Sequence, residues 1–130
     1  MENEIKVNEF IRTKYGEIAK VIEYRDEIVL DKEIKFYGMY RSYICEDELD
    51  FIVKHSPNLI DLIQCGDYVN GQEVETVYGY DEDGNDKDGM GICEVEDDYA
   101  YYKYLEDINI TTIVTKEMME SIIYKVKEKK

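Results

Sequence analysis

The apolar runs of this 130-residue chain are short and stop at turn signals. β-Branched and aromatic residues recur in stretches of a few positions, without the long 3.6-residue period of a helical protein, so the chain reads mostly as strand. Glu9–Thr13 and Glu17–Tyr24 flank Lys14, Tyr15 and Gly16, and Gly16 supplies the positive φ a hairpin turn needs. Within the second run Ile18, Lys20 and Ile22 alternate with Ala19, Val21 and Glu23 across the pleat. Further strands are predicted at Glu27–Leu30, Glu33–Tyr37, Ser42–Cys45 and Asp50–Val53. Asn70-Gly71 stands between two strand-like runs, Asp67–Val69 and Gln72–Val74, which is the strongest short-range hairpin signal, and a strand is expected to continue through Val77.

Two short helices complete the expected fold. Ser56 is a candidate N-cap, Pro57 a first helical residue and Gly66 a terminator, which predicts about two turns over the intervening residues. Leu59, Ile60, Leu62 and Ile63 would form the apolar face of that helix, with Asp61 near the favourable end of its dipole. Asp107–Thr115 alternates and is β-branched; Thr115 can then cap a helix over Lys116–Ser121 before a last strand, Ile122–Val126. The expected class is α+β and mostly β: a small twisted antiparallel sheet or barrel with two short helices. Length and the absence of a linker or repeat suggest one domain, residues 1–130, carrying an excursion at 78–107.

That excursion, from Tyr78 to Asp107, holds eleven carboxylates between Asp81 and Asp107 against Lys87 and Lys103, and so most of the chain's net charge of −15. Its tyrosines separate it from an ordinary solvating acidic tail, which is poor in aromatics. The candidate partner-binding residues are Asp81, Glu82, Asp83, Asp86, Asp88, Glu94, Glu96, Asp97, Asp98, Tyr99, Tyr101, Tyr102 and Tyr104. In a strand, alternation would put Tyr102 and Tyr104 on one face and Tyr99 and Tyr101 on the other. Such a surface repels nucleic acid and anionic membranes and suits a basic protein surface.

Other constellations carry weaker signals. Asp81, Asp83 and Asn85 occupy the first ligand positions of a calcium loop, but Asp86 replaces the required glycine and Ile92 the bidentate glutamate, so an acidic loop tip is expected. His55 is the only histidine, and neighbouring Lys54 and Ser56 form no catalytic motif with it. Cys45, Cys65 and Cys93 show no CxxC spacing, which predicts reduced thiols, with Cys65 and Cys93 buried. Gly84, Gly89 and Gly91 lie among carboxylates that would repel phosphate. Tyr37, Tyr40 and Tyr43 are read as half-buried sheet and turn aromatics, with a ligand patch as the other reading. The lysines near the C-terminus, Lys125, Lys127, Lys129 and Lys130, read as a solubilising tail. No metal, cofactor or catalytic signature emerges. The opening residues lack a signal-peptide pattern and no apolar run is long enough to span a bilayer, so a cytoplasmic protein is expected.

Three segments bear a resemblance. VKHSPNLIDLIQCGDYVNGQEV (Val53–Val74), INITTIVTKEMMESIIYKV (Ile108–Val126) and FIRTKYGEIAKVIE (Phe10–Glu23) resemble a family of small uncharacterised proteins from Gram-positive Firmicutes and their prophages and mobile elements. The resemblance covers roughly half the chain. It implies a compact, mostly β, barrel-like protein carried by phage or mobile DNA, and it implies no activity. After Val77 a much shorter connection is expected of the family, so the excursion is where a specialised role would lie. Three classes of function follow. The first is an acidic, non-enzymatic DNA mimic of the anti-restriction or anti-CRISPR type that occupies the basic groove of a host nuclease or other nucleic-acid-binding protein. The second is a regulatory or accessory protein–protein module, including self-association as a homo-oligomer. The third is an enzyme or small-ligand binder built on the sheet.

Overall fold

The structure, a computed structural model, describes residues 4–122, without the side chains of Val95, Glu96 and Ile122. The lysine-rich end and the expected last strand after Ile122 lie outside the described residues; Ile122 itself, expected to begin that strand, is helical. The chain divides into two compact units, residues 1–63 and 64–130. Both are antiparallel and mostly β.

The first unit is one five-stranded sheet in the order β4-β3-β2-β1-β5. Its strands are β1 (Phe10–Thr13), β2 (Ile18–Tyr24), β3 (Glu27–Phe36), β4 (Met39–Cys45) and β5 (Ile52–Ser56). The first hairpin forms as expected, with Gly16 at φ 83°. The two strands predicted at Glu27–Leu30 and Glu33–Tyr37 are a single strand. The ladder shifts register between Val29 and Ile34, so one strand bends through an irregularity where alternation alone suggests a break. The expected strand at Asp50–Val53 begins only at Ile52, because Glu46–Phe51 winds into a 3-10 segment. β4 and β5 are both edges, so the sheet twists without closing into a barrel. Ile11, Val21, Ile28, Ile34, Ile44 and Phe51 form its core, each almost wholly removed from water.

The helix predicted after Ser56 contracts to one 3-10 turn, Leu59–Leu62. Ser56 Oγ accepts from the Asn58 amide (3.1 Å) and donates to Asp61 (2.7 Å). Asn58 becomes the cap, its side chain accepting from the Ile60 amide at 3.2 Å, which leaves Pro57 outside the helix. Further on, the Leu62 carbonyl accepts from the guanidinium of fully buried Arg12 (2.9 Å) and the Gln64 amide donates to Asp67 (2.7 Å). Backbone groups that would have carried a second helical turn are thus committed elsewhere.

The second unit contains two small sheets. β6 (Tyr68–Val69) and β7 (Gln72–Glu73) form the Asn70-Gly71 hairpin, with φ of 51° and 85° at the two turn residues, and β11 (Ile113–Val114) adds to β6. The strand expected over Asp107–Thr115 shrinks to those two residues of β11. Asn70 holds the segment before it: its Oδ1 accepts from the amides of Thr111 (2.8 Å) and Thr112 (3.1 Å), and its Nδ2 donates to the Asn109 carbonyl (3.0 Å). One helix, α1 (Lys116–Ile122), follows, with Thr115 Oγ1 accepting from the Met118 amide at 3.4 Å and buried Asp67 accepting from the Lys116 amide at 2.9 Å. The second small sheet is the acidic excursion.

Candidate functional site

Tyr78–Asp107 folds as most of a three-stranded meander in the order β10-β9-β8: β8 (Glu75–Tyr80), β9 (Asp86–Glu96) and β10 (Tyr99–Tyr104). Its turns follow from local chemistry. At the β8–β9 tip Asp81 Oδ1 accepts from the amides of Asp83 and Asn85, both at 2.9 Å, and Gly84 takes a φ of 83°. Asp81 therefore spends its carboxylate on its own loop, as the loop-tip reading requires. β9 and β10 are joined by Asp97 and Asp98 alone, at φ of 48° and 72°. Both central residues of a type I′ turn need positive φ, and aspartate tolerates it. A hairpin here escapes the sequence, since Asp-Asp is a weaker turn signal than Asn-Gly.

Register then sorts the side chains, because residues directly opposite in antiparallel strands share a face. Tyr78 pairs with Asp88 and Tyr80 with Asp86; on the other side of β9, Tyr101 pairs with Glu94 and Tyr99 with Glu96. Tyr78, Tyr80, Tyr99 and Tyr101 thus stand on one face with Asp86, Asp88 and Glu94; the Glu96 side chain lies outside the described residues. Tyr78 is 77% exposed, Tyr80 74% and Tyr99 77%. Tyr78 and Tyr80 were not among the expected binding residues, although their alternation just ahead of the acidic loop was the signal for them.

Tyr102 and Tyr104 stand on the opposite face, as alternation requires. Tyr104 is structural. Its ring lies across Gly79 and Gly89, where an added Cβ would press on it, and its hydroxyl donates to the Lys87 carbonyl at 2.7 Å. Asp81, Glu82 and Asp83 sit at one tip and Asp97 and Asp98 at the other, about 34 Å apart given ~3.4 Å per residue along β9. The candidate acidic residues therefore form no single cluster but a face bounded by two charged tips.

Of the two lysines of the meander, Lys103 pairs with Glu94 on this face, whereas Lys87 pairs away from it. Lys87 pairs with Glu106 (2.7 Å), whose hydrogen bond and charge raise the lysine's pKa. Lys103 lies 3.4 Å from Glu94 and 5.4 Å from the Tyr101 ring centre, and the Glu94 charge, followed by that of Tyr101, raises it as well. Among the described residues, Asp86, Asp88 and the two tips have no ion-pair partner.

The other candidates separate. His55 Nδ1 lies 2.7 Å from Glu9 Oε1, both half-buried in the first unit. Cys65 is exposed and Cys93 half-buried, contrary to expectation: Cys65 lies in the short connection after the contracted helix, with its sulfur 3.6 Å from Thr76 Oγ1, and Cys93 lies on β9 opposite Tyr102. Tyr37, Tyr40 and Tyr43 are exposed rather than half-buried, because β4 is an edge strand; Tyr40 and Tyr43 alternate onto its opposite faces while Tyr37 packs edge-on against Phe36, so no joint ligand patch forms. Among the described residues, the one group of three with metal-ligand geometry is Cys45, Asp47 and Glu48. Glu48 there accepts from the Cys45 amide (3.0 Å) and from Arg41, whose charge occupies the place a cation would take. Burial, then the Glu48 carboxylate, pushes the Cys45 thiol up, away from the thiolate that a ligand or nucleophile requires. No described helix is long and apolar enough to cross a membrane.

No family model matches the chain, and no curated protein or solved structure matches it.

Proposed function

We propose that this is a non-enzymatic interaction protein of phage or mobile DNA whose acidic tyrosine face occupies the basic groove of a nucleic-acid-binding protein, as an anti-restriction or anti-CRISPR DNA mimic does. The observation that carries the reading is the register of the meander, which gathers Tyr78, Tyr80, Tyr99 and Tyr101 with Asp86, Asp88 and Glu94 on one face. Asp86 and Asp88 lie about 6.8 Å apart, but Met90 and Ile92 separate them from Glu94, so the face carries well under half the linear charge density of one DNA strand at ~3.4 Å per phosphate. Charge alone therefore imitates DNA poorly. The tyrosines supply the rest: an arginine stacked on an exposed ring contributes about 0.5–1 kcal/mol, and more once the pair is desolvated. Tip-to-tip length, about 34 Å, is that of one turn of B-DNA.

The test is capture of partners from a Gram-positive host lysate at low salt, with duplex DNA as competitor and a salt gradient for release. A nucleic-acid-binding protein displaced by DNA, and lost when Asp86, Asp88, Asp97 and Asp98 are changed to asparagine, is the expected result. Capture that survives both the competitor and these substitutions would assign the acidity to solubility and the protein to the accessory class.

A further inference from the structure

Five consecutive residues of β8, Thr76 to Tyr80, line an open groove of about 530 Å³ together with Tyr102 and Tyr104. Side chains of consecutive residues point to opposite faces, so what five in a row share is the edge of the strand. That edge is unpaired among the described residues, since β8 is outermost in its sheet. Long edges are usually guarded by a lysine, a proline or a bulge. Two other edges follow this rule, β10 with Lys103 and β5 with Lys54, and β7 and β11 are two residues long; β4 has only Arg41, whose side chain is folded onto Phe36 and Glu48. β8 has Glu75 at its start, no charge from Thr76 to Tyr80, no proline, and no register shift against β9.

We infer that β8 is the docking edge for an extended segment of a basic partner, which adds to the sheet as a fourth strand. The inference rests on the proposed function and specifies how the acidic face is engaged. Charge selects the occupant. A second copy of this chain pairing antiparallel through β8 would set the Asp81–Asp83 tip of each copy beside Glu75 of the other, and like charges directly opposed are destabilising. A basic strand meets the opposite situation. Its alternate side chains on one face would lie beside Tyr78, Tyr80, Asp86 and Asp88, which suits arginine or lysine; those on the other would enter the groove over Gly79 toward Tyr102 and Tyr104, which suits an apolar residue. The ligand class is therefore an extended peptide alternating basic and apolar residues, held by main-chain hydrogen bonds along the edge.

The probe is a synthetic peptide alternating arginine and valine, titrated into the full chain at low salt, with two N-methylated versions that block alternate sets of amides. The amides of an added strand face β8 at every second residue, so one methylated peptide should lose about tenfold or more in affinity while the other binds as the parent. Amide hydrogen exchange should slow at alternate residues of Thr76–Tyr80 when the parent peptide binds. Equal binding of both methylated peptides, without added protection of β8, would overturn the docking edge and leave the acidic-face reading standing. Absence of any salt-sensitive binding would overturn both. Protection of β8 that grows with protein concentration before peptide is added would hand the edge to a second copy and overturn the inference.

Discussion

The five-stranded sheet and the acidic meander are both rich in aromatic rings, but only the first gathers some of them around a buried ring, Phe51. In the first unit Tyr15, Phe36, Tyr37 and Phe51 pack on one another with ring centres 4.6–6.0 Å apart, mostly edge to face. Arg41 lies 3.6 Å from the Phe36 ring centre and pairs with Glu48. In the meander Tyr78, Tyr80 and Tyr99 face solvent. The difference comes from the connections. After β4 the chain returns through Glu46–Phe51 and delivers Phe51 into the ring cluster, whereas the meander's strands are joined by short turns at their ends. Phe51 becomes core because the chain comes back with it, while Tyr37, at the border of the same cluster, stays 62% exposed.

Four measurements would break or sharpen that contrast. The largest effect belongs to Phe51→Ala: Phe51 is 1% exposed, and its truncation should cost about 3–5 kcal/mol in urea unfolding. A loss below about 1 kcal/mol, the scale of a surface change, would mean that the ring cluster is not what holds the first unit. Next comes Gly91→Ala. A Cβ at Gly91 would collide with the Lys103 carbonyl and reach 2.7 Å from Val77 Cγ2, so the pairing of β9 with β10 should weaken by about 1–3 kcal/mol, read as faster amide exchange across β9 and β10.

A smaller effect should follow pH. The Cys45 amide, followed by Arg41, holds Glu48 below the ordinary value of 4.5. A carboxylate depressed in the folded state contributes stability that is complete above its unfolded value and lost as pH falls through the folded one. Wild type should therefore lose stability relative to Glu48→Gln as pH drops below about 4.5, and parallel curves for the two proteins would remove the pair from the account. The smallest effect is expected for Tyr99→Ala, within about 0.5 kcal/mol of wild type by thermal unfolding, alongside weakened partner binding. If Tyr99→Ala destabilised as much as Phe51→Ala, the meander's rings would be structural and the contrast would fail.

The turn chemistry was legible residue by residue. Gly16, Asn70-Gly71 and Thr115 act where their conformational freedom or capping oxygen predicts, because a turn's φ and a cap are set by residues within a few positions, even though the Asn70 side chain bonds far along the chain. The helix after Ser56 was misread for the converse reason. Its start signal is genuine, but the Leu62 carbonyl and the Gln64 amide bond to Arg12 and Asp67, and Arg12 lies fifty positions from Leu62 in the chain. Likewise the strand before β11 yields to Asn70, some forty residues away.

The candidate site divides along the same line. Composition identified the stretch and its charge, and alternation along β10 separated Tyr99 and Tyr101 from Tyr102 and Tyr104. What composition could not show is that Tyr78 and Tyr80 stand opposite Asp88 and Asp86, or that Tyr104 is spent covering glycines. By itself, then, the sequence determined a mostly β chain, its tightest turns and a concentration of negative charge beside aromatic rings. Tertiary structure decided which of those rings meet which carboxylates and which edge is left open. The physical reason is that turn conformation is a property of a few adjacent residues, whereas register and edge exposure are settled only when separate segments pair.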